Sequence, residues 1–199
     1  MTSRERREQL LTVSRTLFAE RGFEGTSVEE IASRADVSKP VVYEHFGGKE
    51  GVYAVIVDRE VEALLGALTG ALSERGHPRQ LVERAARALL DYIESSPAGF
   101  RILVRDSPVA QAGGTFSSLI GDVATQVEHL LGHQMAKRGL DPSTAPIYSQ
   151  MLVGMVALAG QHWAEAREPS KDEVAAHMVN LAWNGLSNFE ADPVLPPAD

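Results

Sequence analysis

Apolar residues recur three and four positions apart along nearly the whole chain. No segment sustains the two-residue alternation of β-branched residues that a half-buried strand requires, so the sequence predicts an all-α protein. Between Arg4 and Arg21, Leu10, Leu11, Val13, Leu17 and Phe18 fall largely along one stripe, and Gly22 stands where a helix end favours a left-handed residue. A chain of 199 residues can form one large or two small domains. Its 44% hydrophobic and 23% charged content is ordinary for a globular protein and argues against wholesale disorder.

Two short helices follow the first. Ser27 is placed to cap one of them with Glu30 three residues on, a reciprocal capping box, and Val28, Ile31, Ala32 and Ala35 face inward from it. Ala35-Asp36-Val37 reads as a tight turn, after which Ser38 caps a second short helix. Pro40 fits its first turn, where the N–H groups have no intrahelical acceptor, and Phe46 and Gly47-Gly48 end it. A helix of about two turns is unstable alone, since isolated helices under about 12–15 residues are marginal in water. Held by its neighbour and by the longer helix behind, it completes a helix-turn-helix.

Other classes are excluded by what the chain lacks. It has no cysteine, hence no disulfide, thiolate nucleophile or Cys-based zinc site. The formal net charge of -8 argues against non-specific coating of nucleic acid, although a local basic face remains compatible with it. The opening MTSRERREQL is too charged to begin a secretory signal, and the expected location is the cytoplasm. The uncharged stretch between Asp141 and Glu165 carries Pro142, Pro146, Gln150, Gln161 and His162 and reads as a buried helix rather than a membrane span. No G-x-S-x-G elbow, P-loop, dinucleotide fingerprint, His-Glu-x-x-His run or paired Glu-x-x-His motif is present, so no enzyme is expected.

Further helices are predicted from Lys49 to Leu72, Pro78 to Glu94, Pro97 to Arg105, Thr115 to Arg138, Ser143 to Ala166 and Ser170 to Phe189. Ser95-Ser96-Pro97, Ser107-Pro108, Gly113-Gly114, Gly139-Leu140-Asp141-Pro142 and Glu168-Pro169 break them. With the first three this makes nine helices. The expected division is a helix-turn-helix domain over 1–48, a second helical domain over 49–190 and an unstructured tail over 191–199.

The run from Thr26 to Val52, TSVEEIASRADVSKPVVYEHFGGKEGV, resembles the DNA-binding region of the tetracycline-repressor family of bacterial transcriptional regulators. The likeness rests on a capped short helix, a V-S-K opening, Y-x-H-F and G-x-K-E, and covers about the first quarter of the chain in detail. Pro40 departs from the Gly or small residue that many members carry. The resemblance implies a homodimeric, ligand-responsive regulator, most simply a repressor. Its effector would enter the C-terminal bundle, move the helix from Lys49 to Leu72 and change the separation of the two probe helices.

The second short helix would enter the DNA major groove, whose width of about 12 Å admits one helix. Lys39 could donate to a base edge or phosphate, Pro40 lies in the same first turn, and Val41 and Val42 could touch thymine methyls, although one of the two is expected in the core. Tyr43 and His45 resemble the family's backbone-contacting positions. Lys49, at the start of the next helix, would meet a phosphate attracted by free N–H groups, and Thr26 is a further candidate donor. Arg4, Arg6 and Arg7 form a basic leading arm that either reaches the DNA or is solvated.

In the larger domain Tyr92, Phe100, Phe116, Met151, Met155 and Trp163, with Gln126 and His129 as polar groups, are candidate contacts for a small apolar or amphipathic effector. His129 and His133 share a helix face, but no third ligand accompanies them and no metal or other cofactor is expected. The last two helices supply the candidate dimer seam, with Leu152, Val156, Gly160, Met178, Leu181 and Gly185. Two such helices from each subunit would form a four-helix bundle. The expected partners are double-stranded operator DNA, a second copy of the chain and the effector.

Overall fold

The structure is a computed structural model that describes residues 1–73, 76–104 and 115–188. The expected lining side chain of Phe116, the expected helix end at Phe189 and the expected tail lie outside the described residues. Nine α-helices are present among the described residues, with no strand. They are α1 (Ser3–Arg21), α2 (Val28–Arg34), α3 (Lys39–Phe46), α4 (Lys49–Ser73), α5 (Pro78–Ser95), α6 (Pro97–Val104), α7 (Thr115–Lys137), α8 (Ala145–Ala166) and α9 (Lys171–Ser187). A 3-10 turn over Pro142–Thr144 takes up what the sequence suggested as the start of α8, because Asp141 accepts from the Ser143 N–H and caps the tighter turn instead.

The chain divides into two compact units, Met1–Gly66 with Tyr92–Leu119, and Ala67–Asp91 with Ile120–Asp199. This division differs from the one expected at residue 48. The reason lies in the first core: Leu10, Leu17, Phe18, Ile31 and Val42 of α1–α3 close around Val52, Tyr53 and Ile56 of α4 and Ile102 of α6. Three helices of this size cannot bury their apolar faces alone, and the start of α4 together with α6 completes the enclosure. At its edge Tyr53 meets Phe18 and Phe23 edge to face, 5.0 Å from each ring, while Phe18 and Phe23 stack.

In the second unit, α8 packs against α9. Ala157, Gly160 and Trp163 of α8 and Ala175, Met178, Val179 and Ala182 of α9 are buried. The Trp163 indole N–H donates to the Pro169 carbonyl at 2.8 Å, which fixes the connection between the two helices. Ser170 and Glu173 form a reciprocal capping box at the start of α9. Among the described residues no helix is long and apolar enough to cross a membrane.

Candidate DNA-binding surface

The surface is built on α2 and α3, which pack against one another. Ser27 accepts from the Glu30 N–H at 3.2 Å, so half of the expected capping box forms. The other half does not, because the Glu30 carboxylate pairs with Arg21 of α1. Asp36 takes a left-handed conformation (φ 53°) in the turn, which an acidic residue tolerates better than most. Ser38 occupies the cap position of α3 but makes no side-chain capping hydrogen bond. Pro40 compensates by setting the first-turn backbone. Gly47, left-handed at φ 74°, ends α3 by donating its N–H to the Tyr43 carbonyl at 2.7 Å.

Within α3, Val42 is fully buried and is the valine that belongs to the core, leaving Val41 half-buried and Pro40 exposed. Tyr43 is 54% exposed. Its ring lies against Gly48, where an added Cβ would meet Tyr43 Cε1 at 3.5 Å. Lys39 projects from the start of α3 and pairs with Glu29 of α2, both side chains more than half exposed. That pairing holds the Glu29 carboxyl below its ordinary range through the Lys39 hydrogen bond.

Lys49 is tied down differently. Its Nζ donates to the Phe23 carbonyl at 3.1 Å and sits 4.2 Å above the Phe23 ring, which engages one of its three N–H donors. Gly51 permits this junction: a Cβ there would stand 1.8 Å from the Phe46 carbonyl oxygen.

One expectation is corrected. Thr26 is only 2% exposed and its hydroxyl donates to the Gly22 carbonyl at 2.8 Å, so it braces the turn before α2 rather than facing a phosphate. Arg4, Arg6 and Arg7 lie in the first two turns of α1, which Thr2 and Glu5 start with a capping box. Arg7 donates to the His45 carbonyl at 2.6 Å and lies 4.2 Å over the Phe46 ring, securing the end of α3. Sequence reasoning missed this role of Arg7, the Glu29 partner of Lys39 and the requirement for glycine at 51. Arg7 joins residues 38 positions apart, the Lys39–Glu29 pair depends on how α2 packs on α3, and a glycine in a first helical turn carries no distinguishing pattern.

The candidate effector contacts fall in both units. Tyr92 and Phe100 belong to the first unit, their rings 6.5 Å apart. Gln126, His129, Met151, Met155 and Trp163 belong to the second. Met151 and His129 are exposed, and Trp163 is 3% exposed with its N–H spent on Pro169. An open groove of about 500 Å³ in the second unit is lined instead by His77, Arg79, Gln80, Glu83 and Trp183. No cluster of three or more metal-ligating side chains occurs among the described residues.

The candidate dimer seam is likewise split. Gly160 and Met178 are buried within the protomer, Leu152 and Val156 are half-buried, and Leu181 and Gly185 are exposed. Ile147, Met151 and Leu158, not named for the seam from sequence, are 57%, 59% and 66% exposed.

A short, externally braced helix that carries an exposed phenol and a cation beside the amino end of a longer helix defines a helix-turn-helix DNA-binding module. Residues 10–56 match the family described as bacterial regulatory proteins, tetR family, and residues 67–196 match the tetracyclin repressor-like C-terminal domain. The chain belongs to the tetR family and is a DNA-binding transcriptional regulator. It is 30% identical over 185 residues to the HTH-type transcriptional activator FasR of Mycolicibacterium smegmatis, covering 92% of this chain and 84% of the relative. Among solved structures it is similar to a TetR-like transcriptional regulator from Rhodococcus sp. RHA1, with a TM-score of 0.73 at 25% identity over 92% of this chain and 97% of that one. The fatty acid degradation regulator FadR from Bacillus halodurans shares the fold, with a TM-score of 0.71 at 14% identity over 92% of this chain and 97% of that one.

Proposed function

We propose that the protein is a homodimeric repressor of a palindromic operator, released from DNA by a small apolar or amphipathic effector. The observation that carries the DNA half is the exposure of Tyr43 and Lys39 on α3, beside Lys49. In this reading Lys39, Pro40 and Val41 face base edges, while Tyr43, His45 and Lys49 hold phosphates. The operator displaces Glu29 from Lys39, exchanging one exposed ion pair for another.

The dimer half rests on α8 and α9. Ile147, Met151 and Leu158 recur at helical spacing on one exposed face of α8, and Leu181 is 65% exposed on α9. Apolar side chains aligned in this way call for a covering partner, and a second copy supplies the two-fold symmetry of a palindrome. The effector is proposed as apolar because the buried side chains beyond residue 66 are mainly Leu, Ala, Val and Met, with half-buried Gln126 and Met155 as the remaining candidate contacts. It acts only through differential affinity: inverting a 99:1 population requires about 10⁴-fold preference for the DNA-incompetent state.

The test is a titration of the purified protein onto its operator, with deletion of the gene in the source bacterium read by transcript levels of neighbouring genes. The reading expects two protomers per site and increased transcripts on deletion. One protomer per site removes the dimer. Decreased transcripts make the protein an activator, the role in the name of the Mycolicibacterium relative.

A further inference from the structure

Among the described residues of the first unit, Glu60 of α4 is the buried carboxylate, 9% exposed. Three elements converge on it. Arg15 of α1 donates from Nε to Glu60 Oε1 at 2.6 Å, while the Tyr92 hydroxyl, from the last turn of α5, donates to Oε2 at 2.6 Å. Ser96, in the turn between α5 and α6, donates to Oε2 at 3.0 Å and also accepts from Arg15. Gly99 of α6 closes the site, since an added Cβ would stand 1.9 Å from Oε2. Next to Glu60, Arg59 forms a two-pronged pair with Glu8 of α1 at 2.7 and 2.8 Å on the surface.

An isolated buried carboxylate is costly, and replacing such a cluster with apolar residues is often neutral or stabilising. Stability alone therefore does not account for it. Its geometry does something an apolar contact does not: it fixes the angle of α1 to α4 and to the α5–α6 turn through directed, charge-assisted hydrogen bonds. Apolar packing tolerates sliding, whereas these bonds either form or break. α1 carries Arg7, which secures the end of α3, so whatever orients α1 also orients the DNA-reading helix.

We propose that Glu60 is a positioning residue for DNA binding, the polar lock by which the α5–α6 turn holds α1, and with it α3, in the DNA-competent orientation. α5 runs back from Tyr92 into the second unit. A shift of α5 that withdraws Tyr92 or Ser96 leaves Glu60 under-bonded and releases Arg15. The inference deepens the effector-responsive reading and rests on it for its regulatory sense.

The experiment compares the full-length Glu60→Gln and Tyr92→Phe variants with Met135→Ala, which opens a cavity at a residue of the second unit that is 5% exposed, on α7, a helix that contributes nothing to the lock. Affinity for the operator duplex is measured well below each melting temperature, and amide hydrogen exchange is followed on α1. Glu60→Gln and Tyr92→Phe are expected to weaken operator binding by about 5- to 100-fold, the usual span of coupling between sites, and to speed exchange in α1. Met135→Ala is expected to lower the melting temperature with operator affinity within about two-fold of the parent, since sites that share no partner act independently. Arg15→Lys, keeping the charge, should retain more affinity than Arg15→Met. Unchanged affinity in both lock variants, or an equal loss in Met135→Ala, overturns the proposal. Should the parent protein bind no DNA, the DNA reading fails separately, and the lock is then judged by exchange alone: α1 protection in Glu60→Gln no lower than in Met135→Ala refutes it.

Discussion

Met178 and Leu181 lie one turn apart on α9, yet the same substitution at each should fail for different reasons. Met178 is 4% exposed, whereas Leu181 is 65% exposed. A glutamate at 178 must either ionise in an apolar site or take up a proton there. Fully buried carboxyls shift by up to 3–5 pKa units at 1.36 kcal/mol each, a cost of about 4–7 kcal/mol. Set against a typical total stability of about 5–15 kcal/mol, Met178→Glu should unfold the protein or lower its melting temperature by tens of degrees. Leu181→Glu removes a side chain already in water, so the protomer's own stability should hardly change. At a two-fold interface, however, each substitution acts twice. Losing burial of two leucines at about 1.5–3 kcal/mol each weakens association by about 3–6 kcal/mol, or roughly 10²- to 10⁴-fold. Circular dichroism melts and sedimentation velocity at micromolar protein separate the two effects. A Leu181→Glu protein that stays dimeric with unchanged affinity would refute the placement of the interface on α9, and a Met178→Glu protein that melts normally would refute the burial argument itself.

Three further outcomes are expected. Lys49→Ala should reduce operator affinity for all sequences alike and lower the slope of log affinity against log salt by about one; an unchanged slope would mean that Lys49 serves only Phe23. Gly51→Ala forces a Cβ to within 1.8 Å of the Phe46 carbonyl oxygen, and strain of this kind should cost about 1–3 kcal/mol by denaturant titration. For Glu60, burial raises the carboxyl, but the hydrogen bonds from Arg15 and Tyr92, the Arg15 charge and Ser96 overcome it, so the folded pKa lies below the ordinary 4.5. The stability it contributes is present above pH 4.5 and lost as pH falls through the folded value. Glu60→Gln should therefore show a shallower acid limb in a pH–stability profile, and identical limbs would show that Glu60 does not titrate differently on unfolding.

The helices were legible because their punctuation is local. Gly22, Ser27, Gly47 and Pro97 act through their own backbone geometry, and the element ends follow them closely. The helix-turn-helix was legible for the same reason, its turn and caps lying within about twenty residues. What the sequence could not show depends on partners far away along the chain. Arg7 reaches α3 across 38 positions, Arg15 reaches Glu60 across 45, and Tyr92 reaches it across 32. Nothing in the vicinity of residue 60 distinguishes a buried hub from another charge on a long helix. The same limit split the dimer seam: helical spacing places Met178 and Leu181 on α9, but which of them faces the protomer's own interior is decided by where α8 lies. Thr26 was misread because a threonine ahead of a cap looks the same whether its proton goes to a phosphate or to a carbonyl four residues back.

Selection of bound sequences from a random double-stranded DNA pool, at physiological salt and with the full-length protein, tests the central claim most directly. A two-fold symmetric site whose half-sites lie one helical turn apart, about 10–10.5 base pairs or a multiple of it, is the predicted product. Recovery of an asymmetric single site, or of no shared sequence from folded dimeric protein, would contradict it.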